Sequence, residues 1–434
     1  MANKGSIDDR LSALHDAALI HVLSFLPTDE AARTSALSRR WRRLHAAVPA
    51  VDLVDPNAGR DGYSSRGSGG QLPMCFDQKV TCALLGRDPA APIRAFRLDA
   101  FHPAHALLGQ WVVLALRSGA EELELKLRCG EYSRLRLCPF GHYVGSSADF
   151  HDGDRGRYVR TPRHLFHSAA PQLRRLSLSR WRLDLPPGEG ALPMTSLRSL
   201  VLHRIMGDGQ ALQRLVSSCP RLVDLALEEC PGVATLTVAA ASLRRFALVC
   251  CHNATHVRLE TRALRSLRYK GGLLVTGHGR SSFFWIADHA AVTALTVDIC
   301  EGVHGKTPRE IATVTELVAR CANLEFLHLA LRPAMAYYSG MFTSVLRRLP
   351  RLRRMELKGS LHSEHGVGSV SALLHNTPRL EELSLFPVLP DPPEKKKDYL
   401  YEFEDMYDEH GSGDGDKKEA ISCGGPVYVP RGTT

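Results

Sequence analysis

A chain of 434 residues is longer than one ordinary globular core and suits either several domains or one extended repeat array. Hydrophobic residues make up 44% and charged residues 23%; this is a globular composition, and no run approaches the roughly 18 apolar residues of a membrane helix. The net charge of +9 is uneven: residues 389–434 hold 11 acidic and 6 basic side chains, so residues 1–388 carry +14.

Residues 1–10 include Lys4, Asp8, Asp9 and Arg10 and no apolar stretch, so a secretory leader is not expected. The eleven cysteines then belong to a reducing compartment, nucleus and/or cytoplasm, and no CxxC pair suggests a metal site. Leu19, Val22, Leu23 and Leu26 follow the i, i+3, i+4, i+7 spacing of one helical face. Pro27 and Thr28 stop that helix, and Thr28 or Asp29 is placed to cap the next. Leu37, Trp41, Leu44 and Val48 repeat the spacing, with Arg39, Arg40, Arg42 and Arg43 on the other faces, and Pro49 ends the segment. Three helices this short bury little area, so the unit is expected to lean on a partner or on the adjoining domain.

The wording of this segment closely resembles the plant F-box. The matching stretches are Asp9–Ser12, Leu23–Pro27 and Arg33–Arg42. The resemblance implies a module that docks on the Skp-type linker of a cullin ubiquitin ligase. Leu14, Leu19, Leu23, Leu26, Pro27, Leu37 and Trp41 are the candidates for that contact or its support. Where the family has Leu-Pro-Asp-Glu-Leu, this chain has Leu14, His15, Asp16, Ala17 and Ala18. The helix start thereby loses a proline that fixes φ, a carboxylate, and a leucine worth about 1.5–3 kcal/mol if fully buried. These changes point to weakened linker affinity.

After Val54 the Gly/Ser-rich stretch at 55–71 reads as a flexible connector, and 141–160 reads as a polar insertion. The rest is repetitive. The unit L-x-x-L-x-L starts at Leu173, Leu197, Leu222, Leu243, Leu264, Val292, Leu324, Leu352 and Leu380, at spacings of 21 to 32 residues. An earlier copy begins at Ile93, and a looser one lies in Glu121–Leu127. This period is that of leucine-rich repeats, one strand per repeat stacked into a parallel sheet. Residues 210–219, 311–320, 341–349 and 367–376 read as return helices. Between Leu222 and Tyr269 the returns are too short for helices, so strands at 233–238 and 255–259 are expected instead. Cys230, Cys251 and Cys300 each follow the last motif hydrophobe by three residues, a tight-turn position suited to a small apolar side chain.

The whole resembles the plant F-box proteins with leucine-rich repeats, often FBD-type. The expected architecture is α/β: an F-box at 7–53, a flexible linker at 54–73, and a solenoid at 74–388 with one curved parallel sheet. A charged, mostly disordered tail is expected at 389–434.

Asn253-Ala254-Thr255 matches a glycosylation acceptor, but with no leader expected it is not expected to meet that machinery. The glycine runs at 66–71 and 277–282 lack a phosphate-loop context, and His362 and His365 lack a zinc-helix context. No cofactor, metal or catalytic set is expected, and the basic body lacks the aromatic interleaving of a nucleic-acid reader. The resemblance implies a non-catalytic adaptor joining the Skp-type linker, and through it a cullin core, to a protein target. The alternative is a repeat scaffold with a degenerate F-box acting outside the ligase. Residues between motif leucines face outward and are the target-facing candidates: Ser177, Val201, Arg268, His328 and Glu356, with Ala226, Ala247, Thr296 and Ser384 at the same position.

Overall fold

A computed structural model describes residues 11, 13–55, 74–101, 103–128, 159–166, 172–188, 190–272, 283–302, 308–332, 344–359 and 371–387. The connector from 56 to 73, the loop from 141 to 158, the run at 277–282, His362, His365 and the tail lie outside these residues.

Three helices open the chain: α1 (Asp16–Leu23), α2 (Thr28–Arg33) and α3 (Arg39–Ala46). Leu19, Leu23, Ala31, Leu44 and Val48 close a small core of their own, with Ile20 and Trp41 packed against it. Pro27 occupies the N-cap of α2 without a side-chain cap, and Thr28 does not supply one either. Its buried hydroxyl instead accepts the backbone N–H of Asp52 at 2.7 Å, outside the helical unit.

The strands of the first half are β1 (Ala50–Val54), β2 (Ala95–Phe101), β3 (Glu122–Arg128), β4 (Val159–Arg160), β5 (Arg175–Ser179), β6 (Trp181–Arg182), β7 (Ser199–His203) and β8 (Asp224–Glu228). The second half adds β9 (Thr235–Val238), β10 (Arg245–Val249), β11 (His256–Leu259), β12 (Ser266–Gly271), β13 (Phe284–Ile286), β14 (Ala294–Gly302), β15 (Phe326–Arg332), β16 (Arg354–Gly359) and β17 (Glu382–Pro387). Between them lie α4 (Phe76–Leu85), α5 (His105–Arg117), α6 (Gly209–Ser217) and α7 (Pro308–Arg320).

Twelve strands form one sheet in the order β1-β2-β3-β5-β7-β8-β10-β12-β14-β15-β16-β17, every pairing parallel. The registers bring the motif residues into line: Phe96 with Leu123, Leu176 with Leu200, Leu225 with Phe246, Leu267 with Leu295, and Met355 with Leu383. Period-two geometry puts these on one face, and they are buried there from Leu98 through Leu357. Leu385, in the last strand, is 38% exposed, because no described repeat lies beyond it.

The sheet starts earlier than the repeat pattern alone places it. β1 occupies residues assigned to the F-box, so the solenoid begins at Ala50 rather than 74. Of the residues expected as a linker, Val54 is the last of β1, and 56–73 lie outside the described residues. Val51 and Leu53 are the buried alternate pair that drives this strand into the core.

The short returns do form strands. β9, β11 and β13 make a second parallel sheet, whose Leu236, Val238, Val257, Leu259, Phe284 and Ile286 join the main core. Its edge is closed by a side chain. Gln213 of α6 donates to the Thr237 carbonyl and accepts from the Thr237 N–H, both at 2.8 Å, as a neighbouring strand would.

Candidate functional site

Two surfaces are built by this fold, one on the helical unit and one on the open face of the sheet. On the first, His15 takes the N-cap of α1 with extended backbone, and its Nδ1 accepts the Ala18 N–H at 3.3 Å. Asp16 in the first turn puts a carboxylate at the positive end of the helix dipole and pairs with Arg40 at 2.7 Å. Arg40 also donates to the Leu14 carbonyl at 2.5 Å, clamping α3 onto the start of α1. The helix start that lacks proline is thus secured by side chains. The loss at Ala17 and Ala18 is one of surface: Ala17 is exposed and Ala18 half-buried.

The seven sequence candidates separate. Leu19 and Leu23 are fully internal and cannot contact a partner without unfolding the unit. Trp41 is half-buried and supports that core. Leu37 does not share the α3 stripe. It precedes the Ser38 cap, whose Oγ accepts from Trp41 N, and it stands 69% exposed. Leu14, Leu26 and Pro27 are also exposed.

Sequence reasoning missed Val22 and Phe25, both exposed, Phe25 at 74%. Val22, Phe25 and Leu26 sit at i, i+3 and i+4, a second stripe that the helical spacing merges with Leu19 and Leu23. Of the thirteen large hydrophobic side chains exposed among the described residues, six lie within residues 11–37. That concentration marks an interaction surface rather than scattered exposure.

This unit is seated on the first repeat. Asp88 N donates to the Ala46 carbonyl at 3.1 Å, Arg94 N to Pro49 at 2.8 Å, and the Arg87 guanidinium to Val48. Lys79 reaches Asp29 at 3.5 Å. Burial, and then the Arg87 charge, holds the His45 pKa below its ordinary value.

The open face carries the residues between the motif leucines, aligned by the sheet register. At the start, Arg97 faces Glu122 at 3.3 Å and Glu124 at 3.8 Å, while Lys126 pairs with Asp99 at 3.2 Å. Ser177, Val201, Ala226 and Ala247 then stand side by side as a half-buried neutral strip. Beyond it come exposed Arg268, then Thr296, His328 and Glu356, the last two joined at 2.8 Å. Charged ends therefore flank a neutral middle. His203, beside the strip, bonds Ser179 at 2.8 Å; burial foremost lowers its pKa.

Each central strand leaves the sheet through a left-handed residue: Arg180, Arg204, Glu229 and Cys250, with φ of 64°, 52°, 51° and 52°. Their N–H groups bond a carbonyl at the end of the next strand, at 2.9 Å for Arg180 to His203 and 2.6 Å for Cys250 to Lys270. A non-glycine residue there costs about 1–2 kcal/mol, which these repeated bonds offset.

Cys230 and Cys251 behave as the turn position requires. Cys230 N donates to Cys251 Sγ at 3.4 Å, and Cys251 Sγ lies 3.5 Å from the Leu227 carbonyl. The contact with Cys230, followed by burial, drives the Cys251 pKa up, and burial pushes Cys219 and Cys321 to about 12. These thiols stay protonated and inert. Cys300 departs from the expectation: it leaves that stack and packs with Cys250 and Val249 in a separate cluster. Asn253 of the glycosylation motif donates its amide to the Pro231 carbonyl at 2.8 Å, bracing adjacent turns.

Comparison with known proteins agrees with this division. Residues 11–44 match the F-box domain, and residues 149–286 match the family described as FBD-associated F-box protein At5g56370, LRR repeats. The chain is 26% identical over 394 residues to F-box/LRR-repeat protein At5g35995 of Arabidopsis thaliana, covering 87% of this chain and 74% of that protein. From the same plant, putative F-box/FBD/LRR-repeat protein At4g00315 is 30% identical over 273 residues, covering 60% and 53%. F-box/LRR-repeat protein At3g59190 is 32% identical over 228 residues, covering half of each chain. The chain thus spans about half the length of several relatives it matches.

Proposed function

From the F-box match at residues 11–44 and the FBD-associated leucine-rich-repeat match at 149–286, we propose that this chain is the substrate-recognition adaptor of an SCF-type ubiquitin ligase. The F-box holds the Skp-type linker, and through it a cullin core; the repeats hold a protein target. The role is non-catalytic. It raises the local concentration of a target lysine near the charged conjugating enzyme, in the nucleus and/or cytoplasm.

The carrying observation is the exposed apolar set Leu14, Val22, Phe25, Leu26 and Leu37 on a unit whose own core is already closed by Leu19, Leu23, Leu44 and Val48. The neutral strip from Ser177 to Ala247, with Arg268 and the His328–Glu356 pair beyond it, suits a protein surface of mixed character.

The experiment is calorimetric titration of the full chain with a purified Skp-type linker, then co-purification of the cullin. Stoichiometric binding supports the adaptor. A second reading, a scaffold outside the ligase, draws on Ala17 and Ala18, which reduce the side-chain surface beside the exposed set. Absence of linker binding both in the wild type and in Ala18→Leu supports that second reading and removes the first.

A further inference from the structure

We propose that Cys250, His252 and Cys300 form a binding site for a zinc-type divalent cation, stapling the exit of β10 to β14. One ligand atom from each residue lies within 4.8 Å of the others, and the two sulfurs are 3.8 Å apart. A tetrahedral zinc with Zn–S bonds of about 2.3 Å needs its sulfurs about 3.8 Å apart. The donor set is soft, two thiols and an imidazole, which selects zinc over calcium or magnesium.

Two features of the backbone bring the sulfurs together. Cys250 is the last of the left-handed exit residues; at the same step the other three strands carry Arg180, Arg204 and Glu229. Cys300 lies where β14 loses register with β15, between Asp298 and Gly302, and such irregularities re-aim a side chain. The strands bearing the two cysteines are not neighbours, since β12 runs between them. Two strand spacings place their backbones about 9.6 Å apart. A disulfide reaches across at most about 7 Å between α-carbons, so the geometry suits a bridging ion better than an S–S bond.

Charge also balances. A divalent ion displaces one proton from each thiol to solvent, and two thiolates with a neutral imidazole leave the centre uncharged. The adjoining Lys270–Asp298 pair, 3.4 Å apart, is neutral as well. Three protein ligands leave the fourth position to water.

The test uses the full chain, purified without a histidine tag and equilibrated with zinc, then with cobalt. The expected result is about one metal per chain and a thiolate-to-cobalt charge-transfer band. Both are lost in Cys250→Ser and Cys300→Ser and kept in Cys82→Ser, an exposed position on α4. Should the serine variants fail to fold, the wild type decides: alkylation of Cys250 and Cys300 in the native chain rises severalfold on adding a chelator. The proposal is overturned by a chain without stoichiometric metal, by unchanged metal in folded variants, by chelator-independent alkylation, or by a Cys250–Cys300 disulfide in air.

Discussion

Replacing Phe25 by alanine separates docking from folding. A phenylalanine offers roughly 200 Å² of surface, and 74% exposure leaves about 150 Å² of it in water. Covered completely by a partner, that area is worth about 3.7 kcal/mol at ~25 cal/mol per Å². Alanine keeps the β-carbon, so the loss is about 2–3 kcal/mol, or roughly 30- to 150-fold in affinity for the Skp-type linker. Stability should hardly move, since an exposed substitution stays within about 0.5 kcal/mol. Leu19→Ala is the counterpart: fully buried, it should lose about 2–5 kcal/mol of unfolding free energy. Titration calorimetry and thermal melts on the same preparations read both quantities. If the wild type binds and both Phe25→Ala and Leu37→Ala bind as tightly, the docking surface has been misplaced.

Three further outcomes are expected. Gln213→Ala strips the Thr237 backbone of two hydrogen bonds at the edge of the second sheet and should lower stability by about 1–3 kcal/mol in denaturant melts; an unchanged midpoint would show that water replaces the amide at no cost. His203 is held below its ordinary pKa of 6.5, chiefly by burial, so the unfolded chain takes up the proton first as pH falls. Stability present above pH 6.5 is therefore lost below it, and His203→Gln should flatten that part of the Tm-against-pH curve; a Tm that rises on acidification through this range contradicts the assignment. Amides of β17 should exchange faster than those of β8 or β10, because among the described residues no repeat covers Leu385 on one side; equal protection by hydrogen exchange would contradict this.

The repeat array was legible because its determinant is local and recurrent. Leucines spaced two and three apart fix which face of each strand is buried, and neighbouring copies fix the register. β1 escaped notice because its copy, Val48, Val51 and Leu53, is interrupted by Pro49 and shares Val48 with the helical stripe of Leu37, Trp41 and Leu44. On the helical unit the spacing of Leu19, Val22, Leu23 and Leu26 is helical as expected, but a helix with apolar residues on two sides gives one pattern. Only the position of Leu44 and Val48 shows which side faces inward. Cys300 was misplaced for a related reason: counting from the last hydrophobe assumes a regular exit, and β14 is irregular there. The meeting of Cys250 with Cys300, fifty residues apart, had no sequence signature.

The junction at Ala46–Ala50 has a mechanical consequence. Three residues separate α3 from β1, the carbonyls of Val48 and Pro49 accept from Arg87 and Arg94, that of Ala46 accepts from Asp88, and Thr28 grips Asp52, so this junction is braced rather than hinged. Eleven strand spacings of about 4.8 Å give the sheet a path of some 53 Å from first strand to last, an upper bound on its lever arm. A rotation of one degree at its root carries the far strand by at most about 1 Å, comparable with the tolerance of a reacting group. Thr28→Val removes the side-chain bond that ties α2 to β1 and loosens the helical unit at the root of the sheet.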